Sequence, residues 1–212
     1  FAETAIINII RHGEKCIGSG DDLTAVGYAR ADYLGRCMSD ASQSAVMPFG
    51  KATAVMAGEG KHSLRPKETV SPLAKKLGLK LHMPCTKKEA DCFAEHVPKY
   101  LTDKGTLVVA WAHESIPPLV QALNIPNITS QYEKWPQKCP SSTFTEPSCC
   151  SEDDDSICYD IIWQIRFTRS SGDSSWQPES IRTLHEGFGG NSSSPCAEDL
   201  APHAVESHAL IV

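Results

Sequence analysis

No stretch of the 212 residues is apolar for long enough to cross a bilayer as a helix, and the chain lacks both GxxxxGKS/GxxxxGKT and GxGxxG. The first absence gives no reason to expect a membrane partner, and the second removes the two commonest phosphate-cradling nucleotide loops. Basic charge is also short. Lysine and arginine number 20 against 26 acidic residues, a net charge of −6 with a pI of about 5.7, the wrong sign for a general nucleic-acid binder. No Cys-x-x-Cys pair occurs, and His12, His82 and His96 each stand three or four residues from a single cysteine. That is too sparse for a zinc knuckle, so neither a metal nor another cofactor is expected. Internal repeats and low-complexity segments are missing as well, which leaves one domain over residues 1–212.

Cysteine, by contrast, is plentiful, with nine at positions 16, 37, 85, 92, 139, 149, 150, 158 and 196. So many thiols fit an oxidising compartment, and the expectation is a secreted protein with several disulfides and one cysteine left over. A chain starting at Phe1, as after removal of a leader, agrees with this. So do two possible N-glycosylation sites, Asn127-Ile-Thr129 and Asn191-Ser-Ser193.

Along the chain, residues 5–10 read as a buried strand, followed by a polar loop and a helix capped by Thr24, with Arg30, Asp32 and Arg36 on its polar face. A second strand, 53–57, leads to a helix opened by Pro66 and closed by Gly78. A third strand is expected over 79–83. The loop from Cys85 to Cys92 is short enough for a disulfide to close, and a helical piece runs on to about Tyr100. Residues 106–112 form the next buried strand, and Ser115 is placed to cap the helix after it. Residues 126–158 look like a disulfide-rich loop or lid, because prolines and cysteines replace apolar periodicity there. Strands at 160–168 and 181–184 complete the pattern. Alternating strands and helices imply an α/β fold, a single-domain three-layer α/β/α sandwich on a mostly parallel sheet.

Charged groups collect where these strands end. Arg11 and His12 follow the first strand, Arg65 the second, and His113 with Glu114 the fourth. Two guanidiniums match phosphate oxygens, one neutral imidazole can attack phosphorus, and the other can donate to an equatorial oxygen. A carboxylic acid must then protonate the departing alkoxide. Glu14 is expected to orient Arg11 or a loop amide, and Cys16 to be a structural disulfide partner.

The segments Arg11-His12-Gly13-Glu14, Leu23-Thr24-x-x-Gly27, Arg65-Pro-Lys-Glu-Thr69 and His113-Glu114 occur in an order that resembles the histidine phosphatase superfamily, whose fold is phosphoglycerate-mutase-like. Arg65 to Gly78, Cys85 to Cys92, Trp111 to Glu114 and Asp160 to Trp163 are similar to small secreted fungal proteins labelled phosphoglycerate mutase family protein. The resemblance covers roughly residues 5–168. It implies a phosphomonoester hydrolase with His12 as nucleophile and phosphate held by Arg11, His12, Arg65 and His113. The acid would be Glu114, as in the acid-phosphatase-like branch, or Glu89 or Asp91, near where the mutase-like branch places its glutamate. The implied partner is a small phosphorylated molecule or inorganic phosphate, and the chemistry needs no metal. Mutase-type phosphoryl transfer and a secreted anion-binding protein with little turnover remain the alternatives.

Overall fold

The computed structural model describes residues 2–15, 20–61, 63–137, 158–170 and 175–188. The expected positions Cys16, Cys139, Cys149, Cys150, Asn191 and Cys196, and residues 138–157 of the expected lid, lie outside the described residues.

Strand β1 (Ala2–Arg11) is the centre of the fold. From Ala5 to Ile10 its side chains are buried on both faces, which is why it carries isoleucines almost without alternation. It pairs in parallel with β4 (Gly105–Trp111) and antiparallel with β5 (Ile161–Ser170). The antiparallel ladder reaches Ala2, opposite Ser170, so β1 begins earlier than its apolar run. With β2 (Ala54–Ala57), β3 (Leu81–His82) and β6 (Gln177–His185), the six strands form one sheet in the order β3-β2-β4-β1-β5-β6. The β3-β2-β4-β1 half is parallel and the β1-β5-β6 half antiparallel, making the sheet mixed. Strand β3 is shorter than expected, because Leu79 donates its N–H to Ala74 in closing the preceding helix. Only Leu81 and His82 remain to pair, with Val55 and Met56.

Helices α1 (Ala25–Cys37) and α2 (Arg65–Leu77) cover one face of the sheet. Their Leu34, Val70 and Leu73 share a core with Ile10, Val55, Val108 and Ile162. Helices α3 (Ala90–His96) and α4 (Ile116–Ala122) cover the other, where Phe93, Leu119 and Val120 pack with Ile7, Ile9, Met56, Val109 and Trp163. Each fully buried aliphatic side chain contributes about 1.5–3 kcal/mol. The result is a three-layer α/β/α sandwich.

The ends of the helices divide. Thr24 caps α1, its hydroxyl accepting the Gly27 N–H at 3.2 Å, and Gly78 closes α2 at φ +65°, a conformation that costs glycine little. Ser115 departs from expectation. Its backbone is already helical and its side chain makes no cap bond, so the first turn of α4 is held by Ile116 N–H to the Ala112 carbonyl and tolerates Pro117 and Pro118. Cys85 and Cys92 are joined by a disulfide; Cys37 and Cys158 are also disulfide-bonded. Asn127 is exposed. None of the helices described is long and apolar enough to cross a membrane.

Candidate active site

Strands β1 and β4 run side by side with Arg11 opposite Trp111. The ladder continues one step further, His12 N–H donating to the Trp111 carbonyl at 2.9 Å. The chain leaving β1 and the chain leaving β4 therefore emerge together at the carboxyl edge, where the connections diverge towards opposite faces; such an edge opens a crevice.

His12 is buried. Its Nδ1 lies 2.7 Å from the Gly13 carbonyl, an acceptor only, so Nδ1 carries the proton and Nε2 keeps its lone pair. Burial holds the imidazole well below its ordinary pKa, reinforced by the positive charges of Arg11, Arg65 and His113 and opposed by the Gly13 bond. The ring is therefore neutral, and two guanidiniums and the His113 imidazole, from three separate segments, act on it.

Arg11 is fully buried, its guanidinium carbon 3.6 Å from the centroid of the Tyr159 ring, close enough for a cation–π contact. Tyr159 also stands edge-on to His12, with ring centroids 6.5 Å apart, and its hydroxyl accepts the Lys15 N–H at 3.3 Å. Arg65 opens α2 and donates from one terminal nitrogen to the Gly20 carbonyl at 3.1 Å. Its buried Nε–H makes no hydrogen bond among the described residues. Thr69 links these parts: its hydroxyl donates to the Arg65 carbonyl at 2.7 Å and accepts the Gly13 N–H at 2.8 Å.

The loop that carries His12 lies hard against α1. A Cβ on Gly13 would meet the Gly27 carbonyl oxygen at 2.9 Å, and one on Gly27 would meet the Glu14 carbonyl oxygen at 2.7 Å. The two glycines permit one backbone to touch the other.

His113 and Glu114 follow β4. The Glu114 side chain is 56% exposed, with one oxygen 3.4 Å from His113 Nδ1 and the other 3.7 Å from Lys87 Nζ. It lines a cavity of about 150 Å³ together with Lys87, Lys88, Ser115 and Leu119. Glu89 serves its own turn. One carboxylate oxygen accepts the Thr86 N–H at 2.8 Å, a bond that lowers its pKa. Asp91 is exposed in the first turn of α3. Of the three candidate acids, Glu114 is the one in contact with His113.

Two expectations need correction. Glu14 does not orient Arg11. Its carboxylate takes the Nε of Arg30 at 2.9 Å and a terminal nitrogen at 2.7 Å. Arg30, expected on the polar face of the helix, is fully buried, with Glu186 at 2.6 Å and Asp160 at 3.8 Å adding to a carboxylate cage around it. Burial alone would lower the Arg30 pKa, but the carboxylates raise it; burial drives the Glu186 carboxyl well above its ordinary range. Tyr159, Thr69 and the Arg30 cage are the parts that sequence reasoning missed. Thr69 and Asp160 lie within quoted motifs, whereas Tyr159 has no local signal, since its neighbour Arg11 is 148 positions away.

The sequence matches no family model and no curated protein sequence. Among solved structures it is similar to phosphoglycerate mutase from Plasmodium falciparum, at 18% identity over 85% of this chain and 98% of that one, with a TM-score of 0.44. It is similar to a mycobacterial glucosyl-3-phosphoglycerate phosphatase at 10% identity, covering 84% and 97%, with a TM-score of 0.43. A phosphoglycerate mutase from Bacillus anthracis follows at 13% identity, covering 84% and 93%, also with 0.43. These likenesses are weak and assign no residue a role.

Proposed function

We propose that this chain hydrolyses phosphomonoesters through a phosphohistidine at His12. The observation that carries the reading is the setting of the His12 ring: buried beside the guanidiniums of Arg11 and Arg65, which keeps it neutral, with Nδ1 against the Gly13 carbonyl. A site built of guanidiniums around a neutral nucleophile suits a transferring phosphoryl group that carries two negative charges. Arg11, Arg65 and His113 bind the phosphate oxygens, and the Arg65 Nε–H supplies a donor already stripped of water.

In the first step Nε2 of His12 forms the bond to phosphorus as the bond to the ester oxygen breaks. Glu114, protonated, delivers its proton to that oxygen, and an alcohol leaves. In the second step the Glu114 carboxylate takes a proton from water, the hydroxide oxygen bonds to phosphorus, and the P–N bond breaks to free inorganic phosphate. The Nδ1–H remains bonded to the Gly13 carbonyl throughout and spreads the positive charge that appears on the ring. Glu114 is assigned over Glu89 and Asp91 because it touches His113. An oxidising extracellular setting goes with the same reading, supported by the disulfides of Cys37, Cys158 and the Cys85–Cys92 pair.

The test is release of inorganic phosphate from p-nitrophenyl phosphate by the wild type and by His12→Ala. The variant is expected to lose at least about a thousandfold in kcat/KM, since the nucleophile is removed. Equal rates would overturn the proposal. Phosphate binding without turnover in either protein would make the chain an anion-binding protein.

A further inference from the structure

A second cluster of reactive side chains lies away from His12. Sγ of Cys85, Sγ of Cys92 and an imidazole nitrogen of His96 all fall within 4.8 Å of one another. Spacing along the chain gives little sign of it. Cys85 sits on the loop before α3, while Cys92 and His96 are four residues apart on the helix and share one face of it. His96 Nδ1 is 3.7 Å from Cys92 Sγ and donates to the Cys92 carbonyl oxygen at 2.9 Å, so it ligates an ion only when it gives up that bond and the neutral ring carries its proton on Nε2 instead. Cys85 is buried, whereas Cys92 and His96 are half-buried and open to reagents.

We infer that Cys85, Cys92 and His96 form a reduction-gated site for a thiophilic divalent ion of the zinc class. In the oxidised chain the sulfurs are bonded to each other and the site is closed. A dithiol reductant opens it: two electrons pass to the protein disulfide, the reductant becomes a disulfide, and Cys85 and Cys92 become thiols. Metal binding then displaces one proton from each thiol to solvent. Two thiolates and one imidazole are a Cys₂His set, and the fourth tetrahedral position is left to water. The bound ion keeps the loop tied to α3 after the covalent tie is cut.

That tie matters to its neighbours. The Cys85 carbonyl accepts the Glu59 N–H at 3.0 Å, Lys87 N–H donates to the Glu59 carbonyl at 2.9 Å, and the Trp111 indole N–H donates to the Lys87 carbonyl at 2.9 Å. The same loop carries Lys87, the partner of Glu114. Disulfide and metal are thus two interchangeable staples for one wall beside the candidate site. The inference does not depend on the phosphatase reading.

The experiment uses the whole chain, reduced with a phosphine and freed of reductant without oxygen, and titrated with Co²⁺ as probe. Reduced wild type is expected to bind one Co²⁺ with the sulfur-to-cobalt absorption and intense visible bands of a tetrahedral thiolate site, absent from the oxidised chain. His96→Ala keeps every cysteine and is expected to weaken binding at least about tenfold; Cys92→Ser is expected to abolish it. A parallel thermal melt with Zn²⁺ should stabilise the reduced wild type and not His96→Ala. Absence of binding in the reduced chain, whether folded or unfolded, overturns the inference. So does binding that survives both substitutions, since the ion is then held by other thiols.

Discussion

A single hydrogen bond decides what His12 can do. The Gly13 carbonyl fixes the proton on Nδ1, while burial, with the Arg11 charge, penalises the cation by more than that bond favours it, so the ring gives up its second proton at a lower pH than an ordinary imidazole. A lowered pKa means that the neutral, attacking form persists into acid. The kcat/KM profile is therefore expected to show no acid-side loss around pH 6.5, the ordinary imidazole value. A break of unit slope near pH 6.5 on that side would contradict it. Gly27 makes a second residue-scale test. Its missing Cβ is all that separates α1 from the backbone of Glu14, so Gly27→Ala must push the His12 loop outward. Stability should fall by about 1–3 kcal/mol in denaturant titrations. Phosphatase turnover should fall by about a hundredfold, because a displacement near 1 Å is enough to misalign an in-line attack.

At the scale of elements, the Arg30 cage joins what the sheet alone leaves apart. Glu14 belongs to the loop after β1, Arg30 to α1, Asp160 to the residue before β5 and Glu186 to the residue after β6. Among the described residues, four pieces of chain meet at one buried guanidinium. Arg30→Met should cost about 3–5 kcal/mol in urea unfolding, because it leaves carboxylates buried with no cation between them. A loss under about 1 kcal/mol would show the cage to be hydrated and weak. The cage also explains why Arg30 was misread. Being charged, Arg30 groups with Asp32 and Arg36, but at helical spacing it lies with Gly27, Leu34 and Cys37 on the buried side of α1, where acids 16, 130 and 156 residues away neutralise it. Thr69, by comparison, stands within Arg65-Pro-Lys-Glu-Thr69 and its bond to Arg65 is local to the helix, but the Gly13 N–H that it accepts comes from 56 positions away.

Across the whole molecule, the order β3-β2-β4-β1-β5-β6 puts β4 against β1 although 93 residues separate the end of one from the start of the other. That adjacency brings the histidine after each strand to a common edge. An anion held by Arg11, Arg65 and His113 would stitch β1, α2 and the segment after β4 together. Inorganic phosphate at about a hundred times its Kd should therefore add about 2.7 kcal/mol of stability, a rise of roughly 5–10 °C in Tm for a chain of this size. Arg65→Ala should lose most of that shift; an equal shift in the variant would place the anion elsewhere. The sequence by itself determined the strands and helices, because apolar period, caps and prolines are short-range signals that each segment carries within itself. It also determined which residues end the strands, and so Arg11, His12, Arg65, His113 and Glu114. Only the tertiary structure decided which proton His12 holds, that Tyr159 lies on Arg11, that Glu14 serves Arg30, and that Glu89 is occupied by its own turn. Each of these depends on burial and on a partner distant in the chain or fixed by a turn's geometry, and the order of residues alone specifies neither.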